Sequence, residues 1–371
     1  VRSTSSALAD VLAGSFARRF VGRLFVAGRE VLGAGVDLPL VDVSLSWDGT
    51  AKIVGSGKAS ILYEDDWGRS AAPREFESWL APFNSWLHVA LVIEGGPYSE
   101  RVELGRFAIE APKESARGRA VVTGSAFVTG QRIDVSLRDA FSISDRERLV
   151  SLAQIPRGSS AVWALEHVLG LPVTGVERDA MIPTPVTLQD SRLDAAYDLA
   201  QYLGGTPYVR SDGTVGVRPT AWPDRSAELT AGDGGTVVSV DVNEWDASGV
   251  FNQVVVRAED DDQAAVLADV RVTTGRLKWG PMSDPECWGR IPYFYSSPYL
   301  TTKIAAAAYA RQLLAQVSRL RAVAATVVTA PDPRLEVGDV VSIPVDGVPT
   351  DGRITKLDLT AAGLTAVVSI G

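Results

Sequence analysis

Sulfur and imidazole are scarce in this 371-residue sequence, which holds one cysteine (Cys287), two histidines (His88 and His167) and two methionines. A single thiol forms no internal disulfide and builds no multi-thiolate zinc site. With two imidazoles, a metal site would have to be rich in carboxylates. Long apolar runs are missing as well: none approaches the ~20 residues that span a bilayer, so no membrane insertion is expected. The apolar stretch at 7–20 is interrupted by Asp10 and closed by Arg18 and Arg19. Charge after the apolar run is the wrong order for a secretory signal. We read a docked helix with Leu8, Val11, Leu12, Ser15 and Phe16 on one face, and no export signal. Basic excess is missing too: 36 Lys and Arg stand against 45 Asp and Glu, a net charge of −9. No basic stripe is available to neutralise phosphates, and the balance suits a protein that does not hold nucleic acid.

What is present is ordinary globular material, 46% hydrophobic and 22% charged, long enough for two or three modules. Between 20 and 139 the pattern is strands and turns. Val41, Val43 and Leu45 alternate with Asp42, Ser44 and Ser46. Asp48-Gly49 supplies a hairpin turn, with Ile53 and Ile61-Leu62 on the return. Residues 86–93 (WLHVALVI) are apolar on both faces, hence a central strand stopped by Gly95-Gly96-Pro97. Strands over 104–109 and 120–128 continue the series. Many short strands without intervening helices predict a barrel or sandwich.

The middle differs. Ser159 or Ser160 caps a helix ending before Gly170, and Pro172, Pro183 and Pro185 mark a rigid connection. Ser191-Arg192-Leu193-Asp194 is a capping-box spacing ahead of a stripe of Leu193, Ala196, Tyr197, Ala200 and Leu203, closed by Gly204-Gly205. Ser211-Asp212-Gly213 turns a hairpin. Strands follow at 237–242 and 251–258, then an aromatic loop with Trp279, Trp288, Tyr293, Phe294, Tyr295 and Tyr299. An alanine-rich helix spans about 301–320, with Ala306, Ala310, Leu313, Val317 and Leu320 on one stripe. Strands at 322–328, 340–345, 352–359 and 364–370 end the chain. The fold class is mainly β with α+β elements: two barrel-like β modules plus a small helical and hairpin insert. We divide the chain at 1–141, 142–226 and 227–371, with the hairpin at 206–218 a candidate to complete the first barrel.

Catalytic constellations are thin. Cys287 lies between Glu286 and Trp288, and acidic neighbours raise a thiol pKa, which is wrong for a nucleophile. His88 falls inside a strand and His167 on a helix, and no G-x-S-x-G elbow exists. Glu64-Asp65-Asp66 and Glu259-Asp260-Asp261-Asp262 are the paired-carboxylate candidates. Adjacent acids at strand ends are more often solvated tips than a glycosidase pair, and calcium-loop spacing is absent. The glycine pairs match neither phosphate-binding fingerprint. The aromatic loop, with only Lys278 and Arg290 interleaved, suits a protein contact better than single-stranded nucleic acid. Residues folding back onto their own domain are the plain alternative.

Four segments together resemble the hub proteins of tailed-phage tails, also called baseplate hub or tail-associated proteins. These are Leu199-Ala200-Gln201-Tyr202-Leu203-Gly204-Gly205 with Asp212-Gly213-Thr214-Val215-Gly216-Val217, then Phe251-Asn252-Gln253-Val254-Val255-Val256. The alanine-rich helix after its Tyr- and Pro-containing loop is the third. The fourth is Asp332-Pro333-Arg334-Leu335-Glu336-Val337-Gly338-Asp339-Val340-Val341, a turn with positive φ at Gly338 and Asp339 bonding its backbone. Val337 stands where the family often has proline. The resemblance covers roughly 192–371. It implies two β-barrels per chain, a helical insert, a homotrimer and a DNA-conducting lumen at a virion tail tip assembled in the host cytoplasm. The implied partners are tail-tube ring proteins, the tape-measure protein and tail fibre or tip proteins. It implies no catalytic residues and no cofactor. We name Trp279, Trp288, Tyr293, Phe294, Tyr295, Ala306 and Ala310 as candidate subunit contacts. The rival readings are a cell-wall-degrading enzyme, either glycoside hydrolase or peptidase, and a receptor- or carbohydrate-binding β module.

Overall fold

The computed structural model describes residues 2, 4–33, 35–63, 72–122, 125–150, 153–188, 191–242, 249–257, 266–318 and 324–370, with backbone alone at 117–122, 125–130 and 153. The acidic runs at 64–66 and 259–262, and Leu320, lie outside the described residues. In chain order the elements are α1 (Ala7–Leu12), β1 (Ala17–Val26), β2 (Arg29–Glu30), β3 (Leu38–Asp48), β4 (Gly55–Tyr63), β5 (Ser85–Gly95), β6 (Tyr98–Val122) and β7 (Ser125–Arg138). Next come α2 (Phe141–Arg146), β8 (Ala153–Ile155), α3 (Ala161–Leu169), β9 (Val186–Leu188), α4 (Arg192–Tyr202), β10 (Gly205–Val209) and β11 (Val215–Pro219). Then β12 (Arg225–Glu228), β13 (Val237–Val242), β14 (Gln253–Arg257), β15 (Val266–Arg271), β16 (Pro292–Ser296) and α5 (Lys303–Val317) follow. The strands β17 (Ala324–Thr329), β18 (Val340–Val345), β19 (Val348–Thr360) and β20 (Leu364–Ile370) close the chain. The protein is mainly β with few helices.

Two compact units emerge: Val1–Glu147 with Pro207–Asp241 and Thr326–Val368, and Arg148–Thr206 with Val242–Ala325 and Ser369–Gly371. In the first unit β1, β3, β4, β7, β6 and β5 pair successively, and β1 returns to β3, so six strands close into a ring. The closing contact is short: Phe20, Val21 and Gly22 face Leu40, Pro39 and Leu38. One buried layer runs in register through all six strands, Val102–Leu91–Phe20–Leu40–Ile61–Ile133. A closed sheet has no free edges around its seam and is filled by such layers. Gly22 permits the closure, because a Cβ there would sit 2.8 Å from the Leu87 side chain and 3.1 Å from that of Leu40.

A second series of strands, β12-β18-β19-β20-β17-β13, joins the ring through β19 on β3. Its two ends approach each other: Ala231 bridges Val237, and the Val237 N–H donates to the Thr230 carbonyl at 3.0 Å. Its interior holds Val327, Val341, Ile343, Ile354, Leu357, Ala366 and Val368. The turn ahead of β18 is as the sequence reads. Gly338 has φ +96°, and an Asp339 carboxylate oxygen accepts the Glu336 N–H at 2.8 Å. Arg2 lies against the same turn with its side chain buried. Its backbone donates to the Arg334 carbonyl, its guanidinium donates to the carbonyls of Pro333 and Leu335, and it lies 5.0 Å from the Trp47 ring.

The second unit contains the packed pair α3 and α4, the two-stranded β8–β9 sheet, and the sheet β15-β14-β16 covered by α5. Ser160 and Ser191 cap α3 and α4 as expected, and Gly170 follows α3 in the left-handed conformation. On α5, Ala306 and Ala310 have no exposed surface and let the helix lie close on Val254, Val256 and Ala268.

Several expectations need correction. The N-terminal helix ends at Leu12, because residues from Ala17 onward are taken up by pairing with β5. In β3 the buried positions are Leu38, Leu40, Val43 and Leu45, not an unbroken alternation through Val41. Asp42 takes φ +48° where the ladder shifts register, a bulge that moves the apolar phase by one residue. Asp48 does not turn a two-residue hairpin: its carboxylate accepts the Thr50 N–H and hydroxyl, and the return strand starts at Gly55. The strand expected over 120–128 is divided between β6 and β7, which pair with each other. The aromatic loop contains a strand, β16, parallel to β14. The helix α2 and the β8–β9 pair have no counterpart in the sequence reading.

Candidate assembly surface

The groups singled out for chemistry are placed quietly. His88 stands in register between Arg23 and Arg106 and stacks on Phe25 at 4.0 Å. Burial, then the charges of Arg106, Arg101 and Arg23, push its pKa down to about 4, so it is neutral near pH 7. His167 stacks on Trp163, one turn earlier on α3, at 5.1 Å. The Cys287 thiol donates to an Asp284 carboxylate oxygen at 3.2 Å, and desolvation with that carboxylate holds its pKa up. That is the direction its acidic setting implied. Asp139, which the sequence did not mark, is a buried carboxyl with a pKa pushed up to about 7 by desolvation. It accepts the backbone N–H groups of Gly55 and Phe141 and so joins the start of β4 to the start of α2. Among the described residues no cluster of three or more His, Cys, Asp or Glu is placed to hold a metal ion. Among them, too, no helix is long and apolar enough to cross a membrane.

The residues named as subunit contacts are engaged within the second unit. The Trp279 indole N–H donates to the Gln253 side chain at 2.8 Å, and the Arg271 guanidinium lies 3.8 Å from its ring. Trp288 is half-buried, and its backbone N–H donates to the Lys278 carbonyl. Tyr293 meets Phe251 edge-on, and Tyr295 lies on Tyr309 of α5. Ala306 and Ala310 are core residues. Phe294 differs, with an exposed ring under the Arg257 guanidinium at 4.0 Å. Asn252 organises this region. Fully buried, it donates to the carbonyls of Leu277 and Gly289 and accepts the Ile291 N–H. An asparagine both donates and accepts, which explains why this residue type opens the strand.

Exposed apolar side chains occur in both units, and in the first unit a group of aromatics among them is stacked. The segment between β4 and β5 is pinned by buried Leu80 and Ala81, yet Phe76 is 67% and Phe83 52% exposed. Their rings stack at 4.4 Å, and Trp79 meets Tyr63 edge-on at 6.3 Å. Exposed stacked aromatics of this kind mark contact surfaces. The signal available was the aromatic density of 76–86, with Phe76, Trp79, Phe83 and Trp86 among serine and proline.

Beside this knob rises an arm. β6 is 25 residues long, but β5 covers it only from Tyr98 to Ala108. β4 covers β7 only from Gln131 to Arg138. From Glu114 to Val122 among the described residues, β6 pairs with β7 alone. Beyond Gln131, where β4 stops, only Gly118 to Val122 of β6 form a two-stranded stretch with β7 among the described residues, five residues at ~3.3 Å each or about 16 Å. Arg74, ahead of the aromatic segment, lies 4.0 Å from Glu114 of β6, which also accepts the Gln131 amide of β7 at 3.1 Å.

No family model matches the sequence, and no curated protein matches it. Solved structures do match in fold. The tail protein from Neisseria meningitidis MC58 aligns over 95% of this chain and 97% of its own, at 14% identity and a TM-score of 0.58. The prophage MuSo2 43 kDa tail protein from Shewanella oneidensis aligns over 95% and 98%, at 14% identity and 0.52. The prophage tail protein gp18 from Listeria monocytogenes EGD-e aligns over 95% and 94%, at 11% identity and 0.52. This chain therefore has the fold of these tail proteins along nearly its whole length.

Proposed function

We propose that this chain is a structural subunit of a phage tail tip, a hub that joins the tail-tube ring to tip or fibre proteins. Three copies surround a channel through which the tape-measure protein and then DNA pass. The observation that carries this reading is the architecture shared with tail proteins end to end on both chains, since a module borrowed by an unrelated enzyme would align over only part of one of them. A non-catalytic role agrees with the setting of the candidate groups: a neutral, stacked His88 and a thiol held protonated beside Asp284. The net charge of −9 suits a conduit that phosphates slide through without counterion release. Among the residues named for subunit contacts, Phe294 offers an exposed ring.

The test is incorporation. Tagged chain, expressed in a host producing the phage, is expected in purified particles and at the tail end distal to the head by gold labelling. Absence from particles contradicts the reading. Clearing of wall material by the purified chain contradicts its non-catalytic part, and tight binding of double-stranded DNA at physiological salt contradicts a neutral conduit.

A further inference from the structure

We propose that a cavity lined by the N-terminal segment, the start of β6, the β10–β11 hairpin and β12 binds an acidic peptide segment of a partner protein, laid in extended form along β12. The cavity lies wholly within the first unit and measures about 680 Å³. The site stands on its own lining and goes beyond the role proposed above.

Hydrogen-bond accounting inside the cavity leaves donors over. Arg2, Arg101, Arg210 and Arg334 line it against Glu103, Asp212 and Glu336, four cations to three anions in a chain of net −9. All three carboxylates are engaged. Glu103 accepts the Arg101 Nε–H at 2.7 Å, Asp212 accepts the Thr214 N–H and hydroxyl, and Glu336 lies 3.5 Å from Arg2 Nε. The arginines are not used up. Arg101 donates through Nη1 to both Asp37 oxygens at 2.7 Å, yet its buried Nη2 has no acceptor among the described residues. Arg2 Nε is buried too and, despite its ion pair with Glu336, makes no hydrogen bond. The Arg210 guanidinium has no hydrogen bond or ion pair among the described residues and attracts Asp212 only at longer range. Arg334 alone is fully held, by Asp332. A buried charged donor without an acceptor is costly, and a bound acceptor removes that cost. Carboxylates match the planar fork of guanidinium groups.

Size and backbone make the ligand a peptide. The volume lies in the range of about 300–1,000 Å³ that holds an organic ligand, far more than a lone ion fills. One wall is a strand with a free side. Ser226 and Ala227 of β12 line the cavity, β12 pairs in parallel with β18, and no other strand lies beside it among the described residues. An open strand edge presents N–H and C=O groups that another extended backbone pairs with. Alternate side chains of such a segment share one face, so acidic residues two apart reach the arginines together.

The experiment titrates the purified full chain with a fluorescent peptide of alternating Glu and Thr, read by anisotropy. The same peptide with Gln for Glu, and inorganic phosphate, are the controls. The expected result is one saturable site for the glutamate peptide, with amide exchange slowed at 225–228. The glutamine peptide binds at least about tenfold more weakly, and Arg210→Gln weakens the glutamate peptide by a similar factor, as the loss of one partner of a charged pair does. Arg210 anchors no other side chain, so the variant keeps the parent melting temperature and its loss of binding is read directly. No binding, equal binding of both peptides, or unchanged binding by Arg210→Gln overturns the proposal. So does peptide binding that leaves 225–228 exchanging freely. Phosphate binding without peptide binding marks a simple ion site and overturns it as well. Incorporation into particles is measured separately, so a chain that enters particles without binding the peptide sinks the site and leaves the tail-tip reading standing.

Discussion

Asn252 shows what one residue contributes here. Its side chain satisfies two carbonyls and one N–H of a segment that would otherwise bury unpaired backbone. Asn252→Ala is expected to cost roughly 3 kcal/mol or more, since each orphaned buried group costs ~1–3 kcal/mol. Asn252→Asp, the same shape with acceptors facing acceptors, should be no better. Urea unfolding of both variants checks this, and a cost under ~1 kcal/mol would contradict the assignment. Asp139 and His88 bias stability in opposite directions with pH. The Asp139 carboxyl rises from 3.8 to about 7 on folding, so the folded state binds more protons between those values. Its contribution is full below pH ~4 and lost as pH rises through ~7. The His88 pKa falls from 6.5 to about 4, so its contribution is full above pH ~6.5 and lost as pH falls through ~4. Stability measured from pH 4 to 7 should therefore fall less steeply with rising pH in Asp139→Asn, and more steeply in His88→Gln. Unchanged slopes in both would contradict these shifts.

At the scale of elements the ring depends on its shortest contact, the β1–β3 seam. Gly22→Val forces a side chain into the space of Leu87 and Leu40. Overpacking of that kind costs about 1–3 kcal/mol, and a larger loss is expected if the seam opens. Thermal unfolding measures it, and a melting temperature equal to that of the parent chain would mean that the seam is dispensable. Elements governed by local chemistry were legible in the sequence. The caps at Ser160 and Ser191, the Asp212-Gly213 hairpin, the Gly338 turn, and strands β13, β18 and β20 all stand where residue patterns place them. What escaped was set by distant pairing. The bulge at Asp42 depends on β4, the end of α1 on β5, and the division of 120–128 on the length of the arm. Tyr293 and Tyr295 read as loop aromatics because the strand they lie on is recruited by β14. The exposed stack of Phe76 on Phe83 is not legible from residue type, because exposure is not a property of residue type.

The first unit brings together a closed six-stranded ring, a second strand series whose ends approach each other, and a stacked aromatic pair between β4 and β5. Under the proposed function, a threefold hub facing sixfold tail-tube rings must offer six similar docking surfaces. Two strand series per chain, taken three times, supply that number. Under the same proposed function, the acidic balance serves solubility before assembly and passage of DNA after it. The most direct measurement is a reconstruction of the assembled tail tip containing this chain. The expected result is three copies around a central channel, with the six strand series arranged in quasi-sixfold order. A single copy off the axis, or six copies per ring, would contradict the account.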